Sequence, residues 1–338
     1  MLTNPRTRPI QHPRIRLSNM ERVPVLFIES VLQSSGYLVR KWSKELSTIW
    51  GQLAEVFCRK DGVLYLCYAH YDESEWRLHY KLSGFDHIKT RTLSREVVKE
   101  ISKTIASIQL YVSTGPCPNY EDWDSIHRQD ENGKIQLLLG LDAPVRRLCF
   151  QMEKVEYTKY AKQCEEMISR YSQLFKAFTC VEMRFFESPF KRLVEDMVSS
   201  GRLWSMRVFR PVIYGLCSTA TSFWVDYFFS GSCRKLSANF PEFSVIQAVI
   251  DRWKKMDPRF LASDKIFTGI KASPNAFVNV GITWIPLKSV DAEVLRRIER
   301  KLVQRWSIQS LHCIDHPLEP SSRIYVVFQS EECSLLFV

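Results

Sequence analysis

The feature that most constrains this chain of 338 residues is a rhythm of strand-like and helix-like segments from about residue 108 onward. The strand-like segments centre near residues 110, 150, 183, 206, 226 and 268, a spacing of roughly 20–40 residues that falls in the period range of repeat architectures. No glycine-rich turn joins a strand to a helix, as a doubly wound nucleotide-binding fold would require. The pattern predicts an irregular, leucine-rich-repeat-like α/β solenoid without the strict leucine consensus. A compact α+β domain is the alternative.

Two of these strands alternate apolar and polar residues clearly. Val181 and Met183 flank Glu182, and Met206 precedes Arg207. The aromatic segment 223–229 is predicted as a further strand, so we expect strands at 183, 206 and 226 to be neighbours in one mainly parallel sheet. The polar positions would then line one surface, either a partner-binding surface or an ordinary solvated sheet face. They are Gln151, Glu182, Arg184, Arg207 and Asp226.

A short apolar segment precedes this body. Its residues recur at helical spacing over 24–57 and predict two or three short helices. The order is Val23-Pro24, then Phe27-Ile28, then Val31-Leu32, and finally Trp50-Gly51-Gln52-Leu53.

This order resembles an F-box, a motif that opens on a Leu-Pro pair, carries an aliphatic pair seven and eight residues after the proline, and closes on Trp-x-x-Leu. The whole chain resembles the F-box-like proteins expanded in nematodes. The resemblance implies a substrate receptor of a Skp–cullin–F-box-type ubiquitin ligase, with a Skp-family adaptor, a cullin and an unknown target protein as partners. Helix-in-groove binding to the adaptor would use apolar anchors. The implied anchors are Pro24, Leu26, Phe27, Val31, Leu32, Trp50 and Leu53.

The domain organisation follows from these segments. Residues 1–20 hold four arginines, three prolines and no acid, and are predicted to be a disordered basic tail. Residues 21–58 form the F-box-like helical module, and residues 59–338 form the α/β body. Within the body, a segment at about 115–145 is rich in Pro, Asn and Gly and is predicted as a surface loop.

Composition narrows the class of protein. The ten cysteines include no CxxC pair and several lie in apolar runs, which indicates free thiols in a reducing, cytoplasmic or nuclear compartment. The longest uncharged run, 272–287, has 16 residues and two prolines, too short for a membrane span. The net charge of +10 is mild once the tail is set aside, which argues against nucleic acid.

Catalytic signatures are absent from the sequence. No GxxxxGK[ST], GxGxxG, HExxH or GxSxG occurs, so we expect neither an enzyme nor a bound cofactor. The densest reactive cluster, His312-Cys313-Ile314-Asp315-His316, could hold a metal or a Cys/His pair. Strand alternation separates its neighbours, and no second ligand pair supports it, so a strand end without metal is predicted.

Two further interpretations remain open. The helix carrying Arg296, Arg297, Arg300 and Lys301 could contact phosphates, although the interleaved glutamates favour a solvated outer face. Alternatively, the chain could be an interaction scaffold whose F-box no longer binds an adaptor. An unrecognised enzyme with a site near His312–His316, or a nucleic-acid-binding protein, completes the alternatives.

Overall fold

The structure is a computed structural model that describes residues 23–35, 37–70, 75–116, 123–152, 154–184, 186, 188–209, 221–238, 240, 243–302, 308–329 and 332–338. The predicted basic tail, residues 1–20, lies outside the described residues.

Three helices form an N-terminal helical module: α1 (Val25–Ser34), α2 (Tyr37–Ser43) and α3 (Ile49–Lys60). The module has a small core of its own, made of Ile28, Leu32 and Ala54, which is separate from the core of the body. Residue 51, in the first turn of α3, has to be glycine because the backbone of Leu46 passes too close to leave room for a side chain. A β-carbon there would lie 1.8 Å from the carbonyl oxygen of Leu46.

A buried ion pair joins this module to the body. Arg40 on α2 donates two hydrogen bonds to the carboxylate of Asp61, of 2.9 and 2.7 Å, just after α3 ends. The Nη1 of Arg40 also donates to the carbonyl oxygens of Leu32 and Ser35, where α1 ends. Burial raises the pKa of Asp61, and the hydrogen bonds from Arg40 oppose that shift. One guanidinium therefore fixes the mutual placement of α1, α2 and the chain entering the sheet.

We predict that Asp61→Ala destabilises the module by about 3–5 kcal/mol, because it leaves the Arg40 charge buried and unpaired. Hydrogen exchange of the amides in α1–α3 measures this loss. The matched control is Glu100→Ala, which removes a solvent-exposed pair with Lys103 and should leave stability almost unchanged. Equal protection in both variants would show that the buried pair does not hold the module.

Within the described residues, 13 strands form one sheet. The strands are β1 (Gly62–His70), β2 (Trp76–Gly84), β3 (Ile105–Pro116), β4 (Asp124–Ser125), β5 (Val145–Phe150), β6 (Cys180–Met183), β7 (Ser205–Val208), β8 (Lys235–Ala238), β9 (Lys265–Ile270), β10 (Thr283–Ile285), β11 (Ser310–Asp315), β12 (Arg323–Phe328) and β13 (Cys333–Phe337).

The sheet has a parallel centre and antiparallel ends. Strands β1, β3, β5, β6, β7, β8 and β9 lie side by side in chain order, and each pairs in parallel with the next. Strands β2 and β4 extend one end, and β13, β12, β11 and β10 extend the other, all antiparallel. The structure confirms the coarse prediction of a mixed α/β fold around a large sheet.

The helices of the body are α4 (Arg95–Ile101), α5 (Glu131–Leu139), α6 (Lys154–Lys159), α7 (Ala161–Arg170), α8 (Ser172–Lys176), α9 (Phe190–Ser199), α10 (Thr221–Phe229), α11 (Ser244–Lys255) and α12 (Ala292–Leu302). In the part of the chain that the structure describes, 3-10 helices span Pro258–Phe260, Pro274–Val280 and Leu287–Ser289.

The helices cover the two faces of the sheet unequally. Residues of α4, α5 and α7–α11 share one large core with the strands. Helix α12 packs on the opposite face at the antiparallel end, where Ile298 and Leu302 join a second core. The strands show the division by alternation, since Val326 belongs to the first core and Val327 to the second. We call the second face of the parallel strands the open face, because the described helices leave it uncovered there.

Two of the three predicted neighbouring strands are confirmed. β6 and β7 pair in parallel, and Met183 and Met206 both enter the large core. The third prediction is wrong, because residues 223–229 lie in helix α10. Aromatic residues favour strands, but here Trp224 and Phe228, four residues apart, are both fully buried on one helical face. The next strand is instead β8.

The segment predicted as a surface loop at about 115–145 contains further structure. β3 continues to Pro116, β4 pairs with β2, and α5 precedes β5. Helix α5 forms because Leu138 is buried, with Ile135 and Leu139 packed against the same core. The turn-forming residues that suggested a loop include Asn132 and Gly133, which occupy the first turn of α5.

Lys265 on β9 is a fully buried cation that ties β9 to the end of α10. Its ammonium donates hydrogen bonds of 2.5 and 2.7 Å to the carbonyl oxygens of Phe228 and Ser230. Burial lowers the pKa of Lys265 to about 8. The unfolded chain therefore holds more protons on this group than the folded chain between about pH 8 and 10.5.

We predict that the free energy of unfolding gains a positive pH dependence from Lys265 in that window, because stability rises where the unfolded state binds more protons. Urea unfolding of the wild type and of Lys265→Met at pH 8 and pH 10 measures the difference in slope. As pH rises from 8 to 10, the free energy of unfolding of the wild type should increase relative to that of Lys265→Met. A gap that stays constant would contradict the buried, shifted lysine.

Candidate functional site

The predicted adaptor-binding residues divide between the surface and the core of the helical module. Leu26 and Phe27 on α1 are exposed, at 79% and 57%, and Pro24 before them is exposed as well. Leu32 is instead 1% exposed and belongs to the module core. Of the remaining anchors, Val31 is half-buried, and Trp50 and Leu53 are half-buried and pack around the core. The structure thus leaves an apolar surface on the first turn of α1.

Helix α2 adds two apolar side chains that the sequence analysis did not identify. Val39 and Trp42 are 48% and 57% exposed, and their spacing of three residues places them on one helical face. The signal was present as two apolar residues that flank Arg40 and Lys41, between Val31-Leu32 and Trp50 of the motif. The module therefore exposes Leu26 and Phe27 on α1 together with Val39 and Trp42 on α2, which we call the module anchors.

The residues predicted for the partner surface cluster on the open face, with one exception. Glu182 on β6 lies in register between Cys149 on β5 and Arg207 on β7. Gln151 and Arg184 follow the ends of β5 and β6 and are exposed. Asp226 is the exception. Because it lies on α10, it is on the helical side of the sheet, where it pairs with Arg252 on α11.

Two adjoining cavities lie on the open face. One, of about 490 Å³, is lined by Tyr111, Arg147, Cys149, Phe150, Gln151, Glu182, Arg184 and Phe209. The other, of about 500 Å³, is lined by Tyr65, Cys67, Lys81, Ser83, Tyr111, Ser113, Trp123 and Gln151. Both cavities share Tyr111 and Gln151, so together they form a groove that crosses strands β2, β1, β3, β5 and β6. We call it the sheet groove.

The sheet groove is poorly suited to nucleophilic catalysis. The thiol of Cys149 lies 3.9 Å from a carboxylate oxygen of Glu182. Burial, reinforced by that carboxylate, raises the pKa of Cys149 to about 12. The thiol is therefore protonated at neutral pH, whereas a nucleophilic cysteine acts as the thiolate. Cys149 is therefore not an activated nucleophile in this groove.

The described part of the groove carries more cations than carboxylates. Among the described lining residues, Glu182 is the sole carboxylate, against Lys81, Arg147 and Arg184. Arg147 approaches Glu182 only to 3.8 Å. Arg207 adds a further cation at the groove edge, where its guanidinium lies 4.2 Å from the ring centre of Phe209.

The His312–His316 cluster is structural in its geometry. The Nδ1 of His316 accepts hydrogen bonds from the backbone N–H groups of Leu318 and Glu319, each 3.2 Å. Its Nε2 lies 3.0 Å from the carbonyl oxygens of Trp253 and Met256, so the ring carries its proton on Nε2. His312 packs edge-on against Phe328. In the described ranges, no group of three or more His, Cys, Asp or Glu side chains could hold a metal ion.

The basic run on α12 takes part in ion pairs. Arg296 pairs with Glu293 at 2.8 Å, and Arg297 and Lys301 both approach Asp264. The opposite side of the helix buries Ile298 and Leu302. This arrangement is that of a solvated helix face packed on the sheet.

Comparison with known proteins adds no identification. The chain matches no family model, and it has no significant match among curated proteins or solved structures. Among the helices in the described part of the chain, none is long and apolar enough to cross a membrane.

We predict that His316→Ala lowers the free energy of unfolding by about 2–4 kcal/mol. The substitution leaves the backbone N–H and C=O groups that bond to the buried imidazole without hydrogen-bond partners. His312→Ala, in the same strand region, should lower the free energy of unfolding by about 1 kcal/mol. Urea unfolding followed by tryptophan fluorescence measures both. A larger loss for His312→Ala, together with metal found by elemental analysis of the wild type alone, would contradict a structural role for the cluster.

Proposed function

We propose that this protein is a substrate receptor of a Skp–cullin–F-box-type ubiquitin ligase. The helical module would bind a Skp-family adaptor and, through it, the cullin. The body would hold the target protein, and the chain itself would catalyse nothing. The proposal places the protein in the cytoplasm or nucleus, in keeping with its eight described cysteines, all of them free thiols.

The exposure of the module anchors carries this proposal. Leu26 and Phe27 stand at positions of the F-box-like motif, yet they contribute nothing to the core of the module. Large apolar side chains exposed together on short helices are typical of helix-in-groove partners. If these side chains packed onto the body instead, an adaptor would find no apolar surface there.

The strand order supports the finer proposal of a leucine-rich-repeat-like solenoid. Consecutive strands β3 to β9 lie side by side in parallel apart from β4, with their helices on one face. Solenoids of this kind bind partners through the face that the helices leave free. The open face, with the sheet groove, is accordingly our candidate for the target-binding surface.

One observation favours a second candidate, an interaction scaffold without a ligase role. Ile28 and Leu32, two apolar members of the motif, are buried in the core of the module. Only a few of the motif's apolar side chains are then exposed and able to contact an adaptor. In that case the groove would still bind a partner, but no adaptor would be recruited.

We predict that Leu26→Asp combined with Phe27→Asp weakens capture of a Skp-family adaptor at least about hundredfold. Burying each apolar side chain contributes about 1.5–3 kcal/mol, and a carboxylate in an apolar groove opposes binding further. Co-purification with adaptor and cullin, followed by titration calorimetry, provides the measurement. The matched control is Val155→Asp on α6, where an equally exposed side chain lies outside the module.

The choice of residues decides what this experiment can show. A variant at Leu32 would place a charge in the core of the module, so lost binding could follow from unfolding. Leu26 and Phe27 can be replaced without disturbing that core. Adaptor capture that is undiminished in the double variant would reject this interface. An absence of adaptor binding by the wild type would favour the scaffold.

A further inference from the structure

The charge of the open face indicates the chemistry of its occupant. Arg207 faces Glu182 in register, and Lys235 on β8 lies next along the same face, beside Ser205. Burial and the nearby Arg207 lower the pKa of Lys235, so an adjacent anion would favour its charged form. Arg147 and Arg184 lie on the same described part of the face. Together with Arg207 and Lys235, they place four cations around the carboxylate of Glu182.

The other end of the sheet groove is an aromatic cleft. The rings of Tyr65 and Tyr111 stack with centres 6.4 Å apart, and the ring of Trp123 lies 6.5 Å from that of Tyr65. Trp123 is anchored from below by Cys67 and Ala69. An apolar cleft lined by aromatic rings suits one aromatic or aliphatic side chain.

The distance between the two ends sets the length of the occupant. Tyr65 lies on β1 and Arg207 on β7, four strand spacings apart through β3, β5 and β6. At about 4.8 Å per spacing this is roughly 19 Å. An extended chain advances about 3.3 Å per residue, so about six residues bridge the cleft and the cations.

We propose that the sheet groove binds an extended acidic segment of a target protein, with one aromatic or aliphatic residue in the cleft of Tyr65, Tyr111 and Trp123 and carboxylates over Arg184 and Arg207. This inference names the class of target and rests on the proposal that the open face is the target-binding surface. A protein segment fits better than single-stranded nucleic acid, because Glu182 on β6 stands in register beside Arg207, in the middle of the cations. A polyphosphate backbone would meet that carboxylate, and it binds best along an unbroken basic track.

The test uses two fluorescein-labelled peptide pools, each about ten residues long so that they exceed the groove. Both pools carry one Trp. Four positions are Glu in one pool and Gln in the other, and the remaining positions are mixed. Anisotropy with the purified full chain should show at least about tenfold tighter binding of the Glu pool. A uridine decamer is measured in parallel, and no adaptor is present, so failure here is independent of adaptor binding.

Variants locate the binding. Arg184→Glu with Arg207→Glu should remove the preference for the Glu pool, whereas Lys99→Glu with Arg192→Glu, an equal charge change on exposed helical positions, should keep it. Thermal unfolding checks that both variants are folded. If the first variant does not fold, a photoreactive phenylalanine in place of the Trp should crosslink the wild type at Tyr65, Tyr111 or Trp123. Equal affinity for both pools, crosslinks elsewhere, or tight binding of the decamer alone would overturn the proposal.

Discussion

The connection between neighbouring parallel strands is the constraint on which the rest of this structure depends. Parallel strands need a crossover of a dozen or more residues, and crossovers in one sheet take the right-handed path. When each strand lies beside its predecessor, every crossover falls on the same face. The run from β3 to β9 follows this rule, and the large core with its helices lies on one side. Parallel sheets usually have both faces covered, so a face that the described helices leave uncovered is an exception that calls for an explanation.

The sequence predicted the parts of the fold in which local pattern and tertiary environment agree. Alternation in β6 and β7 located both strands and the face of Met183 and Met206, because one side of each strand is buried. The pattern failed over residues 223–229, where nearly every side chain is apolar and periodicity carries no information. There the crossover between β7 and β8 requires a helix, and this tertiary demand overrides the strand preference of aromatic residues. Because of the same error, Asp226 was predicted on the open face, whereas it lies on the helical side of the sheet.

The site was predictable to the same degree and for the same reasons. Glu182, Arg184 and Arg207 were predicted on this face because alternation identifies the side opposite the core. The aromatic cleft was missed, because Tyr65, Tyr111 and Trp123 come from three separate segments that only the sheet order brings together. In the helical module, apolar spacing marked the residues but could not separate the core member Leu32 from the exposed Leu26. That division depends on how α1 packs against α3, which a linear motif does not encode.

The helical module and the sheet groove belong to parts of the structure with separate cores, which suits the proposed receptor function. The module has its own small core and is tied to the sheet through Arg40 and Asp61, whereas the sheet groove belongs to the body. Binding at one surface therefore need not alter the other. Among the described residues that line the groove, the cations Lys81, Arg147 and Arg184 outnumber the one carboxylate, Glu182, and Arg207 adds a further cation at the groove edge. In water, the repulsion between like charges on an exposed face costs little free energy. An acidic partner that excludes water would turn that repulsion into attraction, because electrostatic interactions strengthen as the local dielectric falls.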